Sequence, residues 1–405
     1  MNKKEERYIN KRKAKAFVYG LAYRLCSIFP IKHKKIVFWA FEGTRGYCCC
    51  PKYVADELLR RTSQKSDKFE MVWLVKDTTH QFPEGIKKIK DTWWNRAYHM
   101  STAAIWVGNT RTFFGTKKRK GQTYIQTWHG TVCIKPIGRY RGDLFPKIAE
   151  IVSQADSDLI DYVISNSDWC DTHYRDGLLY DGKIIRTGMP RCDILINDNS
   201  KVVQEVRKKF DIPEDAKIMM YAPTFRGGSQ GVKRTLSKQE ITIDFNSLIE
   251  ALEARFGGNW YILLRLHPQM AAQNANYKTD STSDRLRDAT QHLDMNELIA
   301  SADGLITDYS SSVFEAILTG IPCFIYADDL DDYVRDRGDL FFDMKQLPFP
   351  LATKNSELIK NVHEFNFQKY ETEIKNLISE LGIVEDGAGS ARIADLIEGI
   401  TKGAV

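Results

Sequence analysis

The sequence predicts an α/β protein of two doubly wound domains facing a common cleft, and three observations carry that expectation. The chain has 405 residues, too many for one ordinary core. Short β-rich runs alternate with helical patterns, which argues parallel sheets with helices on both faces. After "RTGMPRCDIL" the alternation starts again, so a boundary falls near residues 190–200.

Taken in order, the chain opens on a basic stretch. The first 35 residues hold eleven Lys or Arg and only two acids, Glu5 and Glu6. The apolar run "AFVYGLAYRLCSIFP", Ala16 to Pro30, is too short to span a bilayer and is interrupted by Arg24. A cleavable signal peptide fits poorly, because "KHKKIVFWAF" reads straight on as a core strand. Two readings stand: an amphipathic helix on an anionic membrane surface, or a helix packed on the protein with a solvated basic face. The first domain then reads as strands "KIVFWAF" (35–41), "FEMVWLV" (69–75), "AAIWVG" (103–108), "TYIQTW" (123–128) and "DYVISNS" (161–167), with a helix over 51–62. The second reads as strands "KIMMYAPT" (217–224), "WYILLRLHP" (260–268), "GLITDYS" (304–310) and "PCFIYA" (322–327), with helices over 244–256 and 295–302. The expected layout is a basic segment over 1–34, domains over 35–195 and 196–375, and a closing helix within 376–405.

Eight cysteines, three of them adjacent (Cys48, Cys49 and Cys50), suit no disulfide framework and have no zinc spacing. They read as reduced thiols. There is no Walker A loop, no G-x-G-x-x-G fingerprint and no G-x-S-x-G elbow, which argues against P-loop ATPases, simple dehydrogenases and α/β-hydrolases. Positive charge gathers at the N-terminus instead of along a groove, so nucleic acid is disfavoured as a partner.

In doubly wound domains, ligands bind beyond the carboxyl ends of the strands. Polar motifs fall at those ends: "EGTRGY", "TWHGT", "YAPTFRGG", "RLHP" and "TDYSSS". His129 and His267 hold matching places in the two domains, each a packed surface residue or a proton acceptor. Lys135, Arg226, Arg265, Arg335 and Arg337 are solvated charges or phosphate partners; an Arg fork suits phosphate oxygens. The serine run Ser310–Ser312 reads as a helix cap, or as an anion seat formed by the amides of the first turn. Asp328, Asp329, Asp331 and Asp332 read as a solvated acidic loop in preference to a metal site.

Together the motifs "GYCCCPKYVADELL", "QTWHGT" with "KPIG", "TGMPRCD", "YAPTFR", "LRLHP", "TDYSSSVFEA" and "PCFIYADDLDDYVRDRGDLFFD" resemble the CDP-glycerol glycerophosphotransferase family of teichoic acid primases and polymerases. "DGAGSARI" resembles the start of that family's closing helix. The resemblance implies two Rossmann-like domains in a GT-B-like fold, with an acceptor-side first domain and a nucleotide-donor second domain. It implies that His129 and His267 are the essential histidines. It implies that Ser310 and Ser311 bind the donor pyrophosphate, with Thr224, Arg226, Arg265, Asp308 and Glu315 on neighbouring motif positions. Gly130, Thr131, Lys135 and Arg337 are the acceptor or loop candidates. The chain departs from the family's pattern at Val132, Cys133 and Ile134, at Glu315 where Asp is more usual, and at Cys48–Cys50.

The implied reaction is transfer of glycerol phosphate from CDP-glycerol to a hydroxyl of a lipid-linked saccharide or polyol-phosphate chain, with CMP leaving and no cofactor or metal expected. The implied partners are a polyprenyl-diphosphate-linked acceptor and an anionic membrane, at its cytoplasmic face. The short stretch ahead of the two domains leans toward a primase. CDP-ribitol as donor, a GT-B glycosyltransferase, a sugar-nucleotide epimerase and a non-catalytic scaffold are the competing expectations.

Overall fold

The computed structural model describes residues 3–62, 68–224, 241–266 and 284–403. The chain forms two compact units: residues 1–129, 147–193 and 384–405 make up the first, and residues 130–146 and 194–383 the second. The expected boundaries do not coincide with these. The stretch 130–146 joins the second unit and the last helix returns to the first.

Among the described residues, the first unit carries a seven-stranded sheet in the order β3-β2-β1-β4-β5-β6-β7. The strands are β1 (Lys32–Trp39), β2 (Glu70–Val75), β3 (Ile86–Lys90), β4 (Ala103–Gly108), β5 (Thr123–Gln126), β6 (Tyr162–Ser165) and β7 (Lys183–Arg186). All its pairs are parallel. The central strand β4 is apolar and buried throughout because both its faces are covered, as a parallel sheet demands. The strand order reverses between β1 and β4, so the loops after these strands splay apart there. Gly108 closes β4 where a Cβ would lie 2.1 Å from the Trp39 ring. Only glycine admits Trp39 at that point, and the chain then turns out of the sheet at Asn109.

Helix α1 (Lys3–Cys26) belongs to this core. Tyr19, Ala22, Tyr23 and Cys26 pack with Val37, Trp39, Met100 and Trp106. At Gly115 (φ +103) an added Cβ would lie 2.2 Å from the Ala16 carbonyl oxygen, so the helix backbone is seated directly on that turn. The expected separate segment over 1–34 is therefore corrected: α1 is part of the first unit and β1 already begins at Lys32. Its other face exposes apolar side chains, with Phe17 65% and Leu25 60% accessible, and Ile28 just past its end is 80% accessible. No helix among the described residues is long and apolar enough to cross a membrane.

The closing helix Gly389–Thr401 packs on the helix Cys49–Thr62. Arg61 donates to Asp395 at 2.6 Å and to the Ala391 carbonyl at 3.0 Å. Buried Asp193 accepts the amides of Gly389 and Ser390 at 2.9 and 2.8 Å, and Glu385 accepts those of Met189 and the Asn166 side chain. These ties explain why the last residues belong to the first unit.

In the second unit the described strands run β10-β9-β8-β11-β12-β13, again all parallel. They are β8 (Lys217–Ala222), β9 (Trp260–Leu264), β10 (Leu286–Asp288), β11 (Gly304–Thr307), β12 (Cys323–Tyr326) and β13 (Leu351–Ala352). The helices Phe245–Phe256 and Met295–Ala300 are capped by Asp244 and Asp294, whose carboxylates accept first-turn amides. Here the order reverses between β8 and β11. The segment 130–146 is tied to this unit by the Phe341 amide, which donates to the Ile134 carbonyl at 2.9 Å, and by Tyr140 against Phe341.

Candidate functional site

In the first unit, three loops meet at the carboxyl ends of β1, β4 and β5. His129 follows β5, and its Nδ1 lies 2.8 Å from the Asn109 carbonyl oxygen, beyond β4. A carbonyl only accepts, so Nδ1 carries the proton, and in the neutral ring Nε2 keeps its lone pair. That is the tautomer a general base needs. The imidazole is flanked by Trp128, with centroids 4.4 Å apart, and by Phe41 at 5.6 Å. Arg191 donates to the His129 carbonyl at 2.7 Å and fixes the backbone.

The loops are strained. Phe41, Glu42 and Trp128 all adopt positive φ (48°, 56° and 53°). Non-glycine residues held there cost on the order of 1–3 kcal/mol each. Hydrogen bonds hold them in place: the Phe41 amide donates to Asn109 Oδ1 and the Glu42 amide to Thr110 Oγ1, both at 2.8 Å, and the Trp128 amide to Gln126 Oε1 at 3.0 Å. Because Asn109 Oδ1 is occupied, its amide nitrogen points elsewhere, and this fully buried Nδ2 has no partner. Arg111, two residues on, has its guanidinium 5.5 Å from the Trp128 ring, and burial holds it below the usual arginine range. Asp156 accepts from the Thr112 amide and hydroxyl, both at 2.7 Å, and burial pushes its carboxyl up to about 6.

Cys48, Cys49 and Cys50 are buried thiols in no disulfide, as are the other five cysteines. Burial raises the Cys50 thiol well above its ordinary value, which leaves it a poor nucleophile.

In the second unit the strand-end loops after β8 and β11 are tied together. Both oxygens of buried Asp308 lie 2.9 Å from the Thr224 amide, and Oδ1 also accepts from the Tyr309 amide at 2.6 Å. The helix after β11 begins at Val313, not at Ser310, and is one turn long (Val313–Ala316). Ser310 Oγ accepts from the Ser312 amide at 3.3 Å and pairs with its hydroxyl at 2.9 Å. The amide seat expected at Ser310 and Ser311 is therefore narrower than a helix N-terminus: the amides from Ser312 onward are engaged within the turn. The half-buried Ser310 and Ser311 side chains are what this turn presents.

Glu315 is buried and accepts from Asn296 Nδ2 at 3.0 Å, and Arg265 is buried and donates to the Thr290 carbonyl. Both hold neighbouring segments in place. Tyr309 stacks on Tyr333 at 3.6 Å and donates to Asp329, so part of the acidic stretch is structural. Gly130 and Thr131 are buried, and Lys135 is half-buried, at the start of the stretch that joins the second unit. Arg337 ends the helix Leu330–Arg337. His267 and Arg226 lie outside the described residues. Sequence reasoning missed Asn109, Thr110 and Arg111, although "GNTRTF" follows β4 as "TWHGT" follows β5.

A family model described as CDP-glycerol:poly(glycerophosphate) glycerophosphotransferase matches residues 21–399. The chain is 30% identical over 381 residues to a teichoic acid poly(glycerol phosphate) polymerase of Staphylococcus epidermidis, covering 91% of this chain and 51% of that protein. It thus spans about half the length of that relative. It is 28% identical over 403 residues to a teichoic acid poly(ribitol-phosphate) polymerase of Bacillus spizizenii, covering 98% of this chain and 61% of that protein. Among solved structures, the wall teichoic acid polymerase TagF superposes with a TM-score of 0.81 at 26% identity, with 100% of both chains covered.

Proposed function

Because this chain belongs to the CDP-glycerol:poly(glycerophosphate) glycerophosphotransferase family, we propose that it transfers glycerol phosphate from CDP-glycerol to a hydroxyl of a teichoic acid acceptor. The acceptor hydroxyl attacks the phosphorus that bears glycerol, the bond to the bridging pyrophosphate oxygen breaks, and CMP leaves. The hydroxyl proton passes to Nε2 of His129. The observation that carries this is the 2.8 Å contact of Nδ1 with the Asn109 carbonyl, which leaves Nε2 as the basic atom. Ser310 and Ser311 receive the donor pyrophosphate. His267 and Arg226 are assigned to donor charge by their motif positions alone. Phosphoryl transfer asks the protein mainly for positioning and charge stabilisation, which suits loops held by so many backbone contacts.

The acceptor is a polyprenyl-diphosphate-linked chain, met at the cytoplasmic face of an anionic membrane. The support is the outer face of α1 and the turn after it: exposed Phe17, Val18, Leu21 and Leu25 on the helix and Ile28 beyond it, beside Lys11, Lys13 and Lys15. Removing residues 1–30 is a poor test of this, because Tyr19 and Tyr23 would leave the core with them.

The test offers CDP-glycerol, CDP-ribitol and UDP- and GDP-sugars with a lipid-linked disaccharide in liposomes and reads CMP or the other nucleotide released. CMP from CDP-glycerol, diminished at the liposome by Leu25→Ser with Ile28→Ser, is the expected result. Release from CDP-ribitol alone would move the chain to the ribitol branch, as its similarity to the poly(ribitol-phosphate) polymerase allows. Release only from a sugar nucleotide would overturn the reaction class.

A further inference from the structure

The first unit contains two deeply placed arginines, and they are treated differently. Arg96 is fully buried and answered: Asp91 accepts from its Nε and Nη2 at 2.8 and 2.6 Å, and its guanidinium lies 4.2 Å from the Phe113 ring. Arg111 is half-buried at the mouth of the strand-end loops and has no hydrogen bond or ion pair among the described residues. The nearest carboxylates influence it only at a distance. Asp156 spends an oxygen on Thr112, and neither it nor Glu42 forms an ion pair with Arg111 among the described residues. A desolvated cation without a counterion is costly, and a fold that pairs Arg96 so fully has not paired this one. Asn109 Nδ2, on the same loop, is a second buried donor without a partner. Two unspent donors, one cationic, describe a receptor for an oxyanion.

Its place narrows the ligand. The Arg111 guanidinium and the His129 imidazole flank the same indole, at 5.5 and 4.4 Å from the Trp128 ring. Asn109 bonds the base through its carbonyl and carries the free amide on its side chain. In a glycerol phosphate chain, the reactive terminal hydroxyl is separated from its own phosphodiester by one short glycerol unit. Two anions come near the hydroxyl being deprotonated: the donor phosphate under attack, which the reading above gives to Ser310 and Ser311, and the phosphodiester of the acceptor's own last unit, which is left for a receptor in the first unit. We propose that Arg111, with Asn109 Nδ2, binds the terminal phosphodiester of an acceptor that already carries polyol phosphate. This rests on the functional reading above and goes beyond it: the site distinguishes a primed, phosphate-bearing acceptor from a bare saccharide.

The experiment compares wild type, Arg111→Gln and Arg111→Lys on two lipid-linked acceptors, the disaccharide alone and the disaccharide bearing one glycerol phosphate, with saturating CDP-glycerol. The loss in kcat/KM for Arg111→Gln is expected to be at least tenfold larger on the phosphate-bearing acceptor, and to fall mainly on its KM. Arg111→Lys restores part of it, because charge survives while the fork is lost. Equal losses on both acceptors, or a change confined to kcat, would overturn the proposal. If Arg111→Gln does not fold, the ratio measured with Arg111→Lys decides by the same criterion. A wild-type chain that releases no CMP with either acceptor overturns the functional reading and the inference with it. A wild type that turns over while the ratio stays at unity overturns the inference alone.

Discussion

The loops at the β1/β4 reversal of the first unit and those at the β8/β11 reversal of the second solve one problem in opposite ways. Both must end a parallel sheet in a polar mouth. In the second unit several polar groups among the described residues are spent on the protein itself: Asp308 clasps the Thr224 and Tyr309 amides, Glu315 takes Asn296, and Ser310 takes Ser312. At the mouth of the first unit's sheet the backbone is forced into positive φ at Phe41, Glu42 and Trp128, while Asn109 Nδ2 is left over. Stored strain and orphaned donors in one place are features that ligand sites share.

The largest effect that this contrast predicts is at His129. His129→Ala removes the Nε2 acceptor while the main-chain bond from Arg191 to residue 129 stays. Transfer should fall by roughly a hundred- to ten-thousandfold, the range typical of a general base. Because the imidazole is half-buried, the melting temperature should hardly move. Single-turnover CMP release at near-wild-type rate would remove His129 from the chemistry and break the comparison on its functional side.

Asp308→Asn probes the other side. The asparagine keeps one acceptor oxygen but loses the charge, and its amide cannot accept from the Thr224 N–H. A loss of roughly 1–3 kcal/mol in urea unfolding is expected, since hydrogen bonds to charged groups carry about that much. The KM for CDP-glycerol should rise with it as the loop after β8 loosens. An unchanged stability would mean that this buried carboxylate is not the clasp described.

Much of this architecture was legible in the sequence, and the failures have physical reasons. The run 103–108 maps onto β4 residue for residue, because a central parallel strand is apolar on both faces. The edge strands β3 and β7, "IKKIK" and "KIIR", carry lysine and arginine on exposed faces and show no apolar run. The short β10 and β13 escape for lack of length. His129 was legible because it stands at a strand end beside glycine. Its tautomer was not, since that depends on a carbonyl twenty residues away. The exchange of 130–146 and 384–405 between units rests on contacts such as Asp193 with Gly389 and Phe341 with Ile134. Local pattern carries no trace of these.

The smallest effect concerns a second histidine of the first unit. His99 is 8% exposed and its buried Nδ1 has no partner, whereas Nδ1 of His129 is engaged. Burial, with Lys35 and Lys87 nearby, pushes the His99 imidazole down to about 4 from an ordinary 6.5; Glu70 opposes weakly. Between those values the unfolded chain takes up the proton and the folded one does not, so this contribution to stability falls as pH drops. Asp156, pushed up to about 6, has the opposite slope, because the folded state binds its proton first. Lys35, pushed down to about 8 by burial, is charged throughout this range and adds no slope of its own. The net acid response of the wild type is thus partly cancelled, and the His99 component appears only by difference. His99→Gln cannot titrate. Between about pH 7 and about pH 4.5 the wild type should lose on the order of 2 kcal/mol relative to that variant in paired urea titrations. Parallel curves across the window would show that the imidazole is protonated in the folded state, and that the unpaired Nδ1 has a partner in solution.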